Sequence, residues 1–141
     1  MRYNILVSHG TFAPGLHNAL GMMAGADRTD IRSTSLLDGM DVDTFHEKFA
    51  ELVADITDSD EILLFTDIIG GSPLTTALKV LTEKGLLEKT IAIGGMNLPL
   101  VLTAAFADAD EPLEAIAEEI MDEARGQIKR FDLDKNEEED I

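Results

Sequence analysis

The sequence predicts an α/β fold: a doubly wound, mainly parallel sheet with helices on both faces. Three observations carry that reading. Short apolar runs alternate four times with amphipathic helical stripes. The connections between them are tight and punctuated by Gly and Pro. The strongest runs are too apolar to leave one face in water, as expected of strands covered on both sides.

Residues 3–8 (YNILVS) form the first buried-strand signal, followed by a glycine. Pro14 opens a helix where its missing N–H costs nothing, and Leu16, Ala19, Leu20 and Met23 follow as one apolar stripe. Residues 31–37 are a weaker strand, diluted by Ser and Thr. The clearest helix spans 41–57, with Phe45, Phe49, Leu52, Val53 and Ile56 on one face and Asp41 and Asp43 near its positive end. Residues 61–66 (EILLFT) are the best strand.

Ser72-Pro73 then reads as an N-cap and an N1 proline; Leu74, Ala77, Leu78 and Leu81 line the buried side, and Gly85 ends the helix. Residues 90–93 form another buried strand, with a helix from about Asn97. Pro112 starts a last helix with the stripe Leu113, Ile116, Ala117, Ile120 and Ala124. Residues 127–133 (QIKRFDL) are a final short extended segment. No internal repeat or second composition regime appears, so one domain over residues 1–133 is expected.

Composition narrows the function. The 141 residues hold 28 acids against 11 Lys and Arg, a net charge of −17. So acidic a chain repels phosphate backbones and anionic lipid, which argues against nucleic-acid or membrane-surface binding. No apolar run reaches the ~18 residues of a membrane helix, and no secretory signal is expected, since no basic flank precedes the first short apolar stretch. Cysteine is absent, which excludes thiol catalysis and Cys-ligated zinc and suits a reducing cytoplasm, where the protein is expected. Six acids and one lysine fill residues 132–141, so 134–141 is expected to be a solvated, frayed acidic tail.

In a parallel sheet the segments leaving the strands converge on one edge, where such folds bind ligands. Here these are Ser8-His9-Gly10-Thr11, Thr66-Asp67 with Gly70-Gly71-Ser72-Pro73, and Gly94-Gly95-Met96-Asn97-Leu98-Pro99. Taken alone, Asp67 is a loop cap, His9 a packed histidine, and Gly-Gly before Ser-Pro an ordinary loop-to-helix signal. Together, one imidazole, one carboxylate and two Gly-Gly pairs make a nucleophile, its orienting group and an anion cradle of backbone N–H groups. His17 and His46 are read as helix-surface residues. No His-x-x-x-His pair, G-x-G-x-x-G loop, P-loop or G-x-S-x-G elbow occurs, so neither metal, nucleotide cofactor nor serine hydrolase is expected.

The three motifs, spaced over residues 1–133, resemble the IIA component of the mannose-family sugar phosphotransferase system. The resemblance implies a cytoplasmic phosphoryl carrier. His9 would take a phosphoryl group from the phosphohistidine carrier HPr and pass it to a separate IIB component, which feeds sugar uptake through membrane components. It further implies that Asp67 orients His9, and that Gly10, Thr11, Gly70, Gly71 and Ser72 surround the phosphoryl group. The family usually dimerises by exchanging a C-terminal edge strand, which residues 127–133 match; a homodimer is therefore expected. Where family members often carry Thr-Trp after the aspartate, this chain has Ile68-Ile69. Other readings of the same residues are a regulatory or receiver-like phosphoacceptor, with Asp67 as the acceptor in the receiver-like case, and a non-catalytic module that binds an anion.

Overall fold

The computed structural model describes residues 1–136. Its central strands are β1 (Arg2–His9) and β3 (Glu61–Thr66), flanked by β2 (Ile31–Leu36) and β4 (Thr90–Ile93). All pairings are parallel, in the order β2-β1-β3-β4. Period-2 alternation divides the central strands between two cores. Tyr3, Ile5, Val7, Ile62 and Leu64 face α2 (Val42–Leu52) and α3 (Ser72–Glu83). Leu6, Leu63 and Phe65 face α1 (Phe12–Ala24), α4 (Leu98–Ala105) and α5 (Leu113–Gly126). Phe45, Phe49 and Phe65 are fully buried, each contributing roughly 1.5–3 kcal/mol of transfer free energy. This is the doubly wound α/β sheet expected from the alternating pattern.

The winding reverses between the central strands: the chain leaves β1 for one side of the sheet, then crosses back to build the other. In such folds ligands bind at that switch point, here the carboxyl ends of β1 and β3.

Side chains fix several element ends. Asp41 accepts from the Thr44 N–H at 2.7 Å and Asn97 from the Leu100 N–H at 2.9 Å, each satisfying a first-turn donor. Ser8 accepts from the Ala13 N–H at 2.7 Å, so the end of β1 caps α1, whose own N-cap Thr11 makes no such bond. At the end of α3, Gly85 adopts φ +72°, and the Leu86 and Gly85 N–H groups bond back to Leu81 and Thr82. Arg32 stacks 4.6 Å from the Tyr3 ring and grips Asp55 through both terminal nitrogens, tying β2 to the turn after α2. That hydrogen bonding lowers the Asp55 carboxyl to about 2.

Some expectations need correction. Met23 is half exposed, and Ala13 takes its place in the buried stripe with Leu16 and Leu20. α2 stops at Leu52; Val53 and Ile56 are buried but lie beyond the helix. Gly71, not Ser72, is the N-cap of α3, which places Pro73 second in the helix. Residues 127–133 form no strand within this chain, because an extended segment without a neighbouring strand has nothing to complete its ladder. Leu133 instead opens the short helix α6 (Leu133–Asn136), so the acidic tail begins with a helical turn; its residues 137–141 lie outside those described.

Candidate functional site

His9 ends β1, and Asp67 follows directly after β3. The register pairs Val7 with Thr66, so adjacent parallel strands deliver both side chains to one edge. One carboxylate oxygen, Asp67 Oδ2, accepts from the His9 backbone N–H at 3.0 Å and lies 2.8 Å from His9 Nδ1. The other, Oδ1, accepts from the Ile68 N–H at 2.9 Å and the Thr66 hydroxyl at 3.2 Å. Burial raises the Asp67 carboxyl, but hydrogen bonds from the His9 backbone and ring and from the Ile68 N–H outweigh it and hold the group below its ordinary value.

An ionised carboxylate only accepts, so the proton lies on His9 Nδ1 and Nε2 keeps its lone pair. The His9 side chain is 46% exposed while Asp67 is 17% exposed: the imidazole is open to solvent and its carboxylate partner is sheltered.

Gly71 packs against this ring. A Cβ there would lie 2.7 Å from His9 Cε1 and 3.3 Å from Nε2. Before it, Gly70 holds φ +92°, a backbone that a side chain would strain. The N–H groups of Gly70, Gly71 and Ser72 find no protein acceptor among the described residues, and they sit at the positive end of α3. No lysine or arginine hydrogen-bonds to this cluster among the described residues.

The remaining expected site residues divide. Ser72 is exposed at the start of α3, and Thr11 is exposed at the start of α1. Gly10 turns the chain after His9, but its N–H already donates to Leu36 O at 2.8 Å, so it contributes shape rather than an open donor. Of the second Gly-Gly pair, Gly95 does not offer the open donor expected of it. The Gly95 N–H donates to Asp67 O at 3.1 Å and the Met96 N–H to Thr66 O at 3.0 Å, so this turn supports the backbone under Asp67. The Thr66 hydroxyl is a contributor that sequence reasoning passed over; its place beside an acid at a strand end was the available signal.

His17 and His46 are engaged elsewhere. His17 Nδ1 lies 2.7 Å from Ser33 Oγ, and burial pushes its pKa down. His46 Nε2 lies 2.9 Å from Glu83, joining α2 to α3.

Comparison with known proteins identifies the family. A family model described as PTS (phosphotransferase system) fructose IIA component matches residues 3–121. The PTS fructose-specific EIIA component of Bacillus subtilis (strain 168) is 29% identical over 98 residues, which cover 70% of this chain and 64% of that protein. The PTS mannose-specific EIIAB component of Escherichia coli (strain K12) is 25% identical over 108 residues, covering 77% of this chain and 32% of that protein. In both, the match spans less than two thirds of the relative's length.

Among solved structures, the phosphotransferase system component EIIA from Streptococcus agalactiae shares the fold with a TM-score of 0.79 at 23% identity, covering 93% of this chain and 98% of that one. The PTS IIA protein associated with the fucose utilization operon of Streptococcus pneumoniae has a TM-score of 0.71 at 28% identity, covering 91% and 96%. With the family model matched from the first strand into the last long helix, the chain belongs to the mannose-family IIA components of the phosphotransferase system.

Proposed function

We propose that this protein is a phosphoryl carrier of a sugar phosphotransferase system, taking the group from phospho-HPr on His9 Nε2 and handing it to a IIB component. The observation that carries the reading is the 2.8 Å contact between His9 Nδ1 and Asp67. It fixes the tautomer in which Nε2 is both nucleophilic and exposed. In the transfer, the Nε2 lone pair attacks phosphorus, and the new N–P bond forms as the donor's bond to phosphorus breaks, its pair staying with the donor. Asp67 supports the positive charge that develops on the ring. Phosphoryl transfer otherwise asks for positioning and for stabilisation of the equatorial oxygens, a role this reading gives to the Gly70, Gly71 and Ser72 amides, the Ser72 hydroxyl and Thr11.

A receiver-like reading with Asp67 as acceptor is less well supported. Such chemistry gathers several acids around a metal, and among the described residues no three His, Asp or Glu side chains come together that way. A purely anion-binding module gives no reason for a carboxylate to align the imidazole.

The same reading includes a homodimer formed by strand exchange. The outer edge of β4 has no neighbour among the described residues, and Ile128, Phe131 and Leu133 are exposed on the segment that would exchange. No helix of the described residues is long and apolar enough to cross a membrane.

The test is incubation with phosphorylated HPr. One phosphate per chain, stable to base and lost in acid, is expected on the wild type, His17→Ala and His46→Ala, and none on His9→Ala. Phosphate accepted by His9→Ala would overturn the assignment.

A further inference from the structure

Gly94 hydrogen-bonds to neither His9 nor Asp67, yet an added Cβ would meet a closer neighbour there than at any other glycine of the chain. A Cβ at Gly94 would collide with Ile69 Cγ1 and lie 2.8 Å from Ile69 Cδ1 and 3.5 Å from its Cβ. Its backbone is not in the left-handed region, so the requirement is for space alone. Ile69 is 77% exposed, and the space that Gly94 leaves by lacking a Cβ is where its side chain lies against the protein.

We infer that Gly94 is a positioning residue: it seats Ile69 and so fixes the loop that presents Gly71 to the His9 ring. The inference rests on the phosphoryl-carrier reading above. The path is short. The base of the loop is tied by the Gly95 and Met96 N–H groups to the carbonyls of Asp67 and Thr66. Its crest is held by Ile69 in the Gly94 notch. The neighbouring Ile68 Cγ1 would lie 3.6 Å from a Cβ on Gly71, and the same Cβ would press on His9. Main-chain bonds thus set where the loop starts, and one side-chain contact sets how it leans.

β-branching makes the seat selective. Ile69 carries two carbons on Cβ, so two of its three staggered rotamers place a carbon toward any given direction. With a methyl at Gly94, a single rotamer remains that aims hydrogen at it. Relief otherwise requires the loop to lift, which draws Gly71 away from the ring. A misplacement of about 1 Å at a reacting group is enough to cost on the order of 100-fold in rate.

The test is a double-mutant cycle. Gly94→Ala is expected to slow phosphoryl transfer from phospho-HPr roughly 10-fold or more by the same misplacement argument. Ile69→Ala removes both clashing carbons, so Gly94→Ala/Ile69→Ala is expected to transfer faster than Gly94→Ala alone, a non-additive result. Nuclear Overhauser contacts between the Ile69 δ-methyl and the Gly94 α-protons are expected in the wild type. The His9 ring resonances should shift in Gly94→Ala and, in the double variant, match those of Ile69→Ala alone.

Unchanged transfer in Gly94→Ala, additive effects, or no Ile69–Gly94 contact in the wild type would each overturn the inference. Should Gly94→Ala fail to fold, the wild-type contact and the Ile69→Ala ring resonances decide, with an unshifted ring counting against it. If the wild type takes no phosphate from HPr, the carrier reading falls, while the seat is still judged by the contact and the ring resonances.

Discussion

Replacing Gly71 by alanine separates the geometry of the site from its hydrogen bonding, because alanine keeps the backbone N–H. The new Cβ would stand 2.7 Å from His9 Cε1 and 3.3 Å from Nε2, where ordinary contact begins near 3.4 Å. The ring must therefore retreat by about 0.7 Å or more, the difference between 3.4 and 2.7 Å. That retreat works against the 2.8 Å bond from Nδ1 to Asp67, which holds the ring in place. A displacement of this size at a nucleophile is worth roughly 10- to 100-fold in rate.

The fold should be spared. Gly71 has φ −88° and ψ 164°, a backbone open to any residue. Loss of a glycine N-cap costs under about 1 kcal/mol, and the reduced freedom of the unfolded chain returns about 0.4–1 kcal/mol. The melting temperature should move by no more than a few degrees. Rapid-quench measurement of phosphate arriving from labelled phospho-HPr, alongside a thermal melt, checks both halves. Wild-type transfer by a folded Gly71→Ala protein would refute the reasoning, since it would mean that the ring yields freely at no cost to function.

Three further outcomes are expected. Asp67→Asn should leave the fold intact and slow transfer by ~10²–10⁴-fold, because an amide holds either tautomer and supports no imidazolium; full transfer rates would remove Asp67 from the mechanism. The Asp55 carboxyl should titrate by NMR near 2 and move up toward the free value in Arg32→Gln. Its folded value lies below the unfolded one, so its stabilisation is present above about pH 4 and fades as the pH falls toward the lowered value. A chain ending at Arg125 should give monomer or aggregate in light scattering, and a stable dimer from it would count against strand exchange.

Strand signals were the most legible part of the sequence. Residues 61–66 and 90–93 are apolar runs bounded by polar or glycine residues, and the strands occupy those bounds. The Asn97 cap was legible because its side chain decides the helix start by a local bond. Ser72 misled by one place: proline is tolerated at the second helical position as well as the first, so Ser-Pro leaves the cap ambiguous. Val53 and Ile56 kept the helical period past the end of α2, because burial follows the core and not the backbone state. Met23 failed for the opposite reason, lying on the stripe where the neighbouring elements no longer cover it.

At the site, His9 and Asp67 were legible once the sheet was taken as parallel, since strand ends then share an edge. Which amides stay open was not. That depends on register and turn geometry, which gave the Gly95 N–H to Asp67 O and left those of Gly70 and Gly71 unengaged. The seat at Gly94 was invisible because nothing in a Gly-Gly pair names the side chain that will lean on it.

β1 and β3 are the two interior strands of the sheet, bonded on both edges and covered by helices on both faces. Amides in such strands exchange with solvent through the largest openings a domain makes, close to complete unfolding. His9 and Asp67 hang from the ends of these two strands, so their pairing belongs to the last cooperative unit to come apart. Ile68 and Ile69, both exposed, lie outside the sheet, so their loop owes its place to local contacts, the Gly94 seat among them. The site therefore rests on two kinds of support. The imidazole and its carboxylate persist as long as the protein is folded, while the loop beside them depends on a few contacts that a single substitution can loosen.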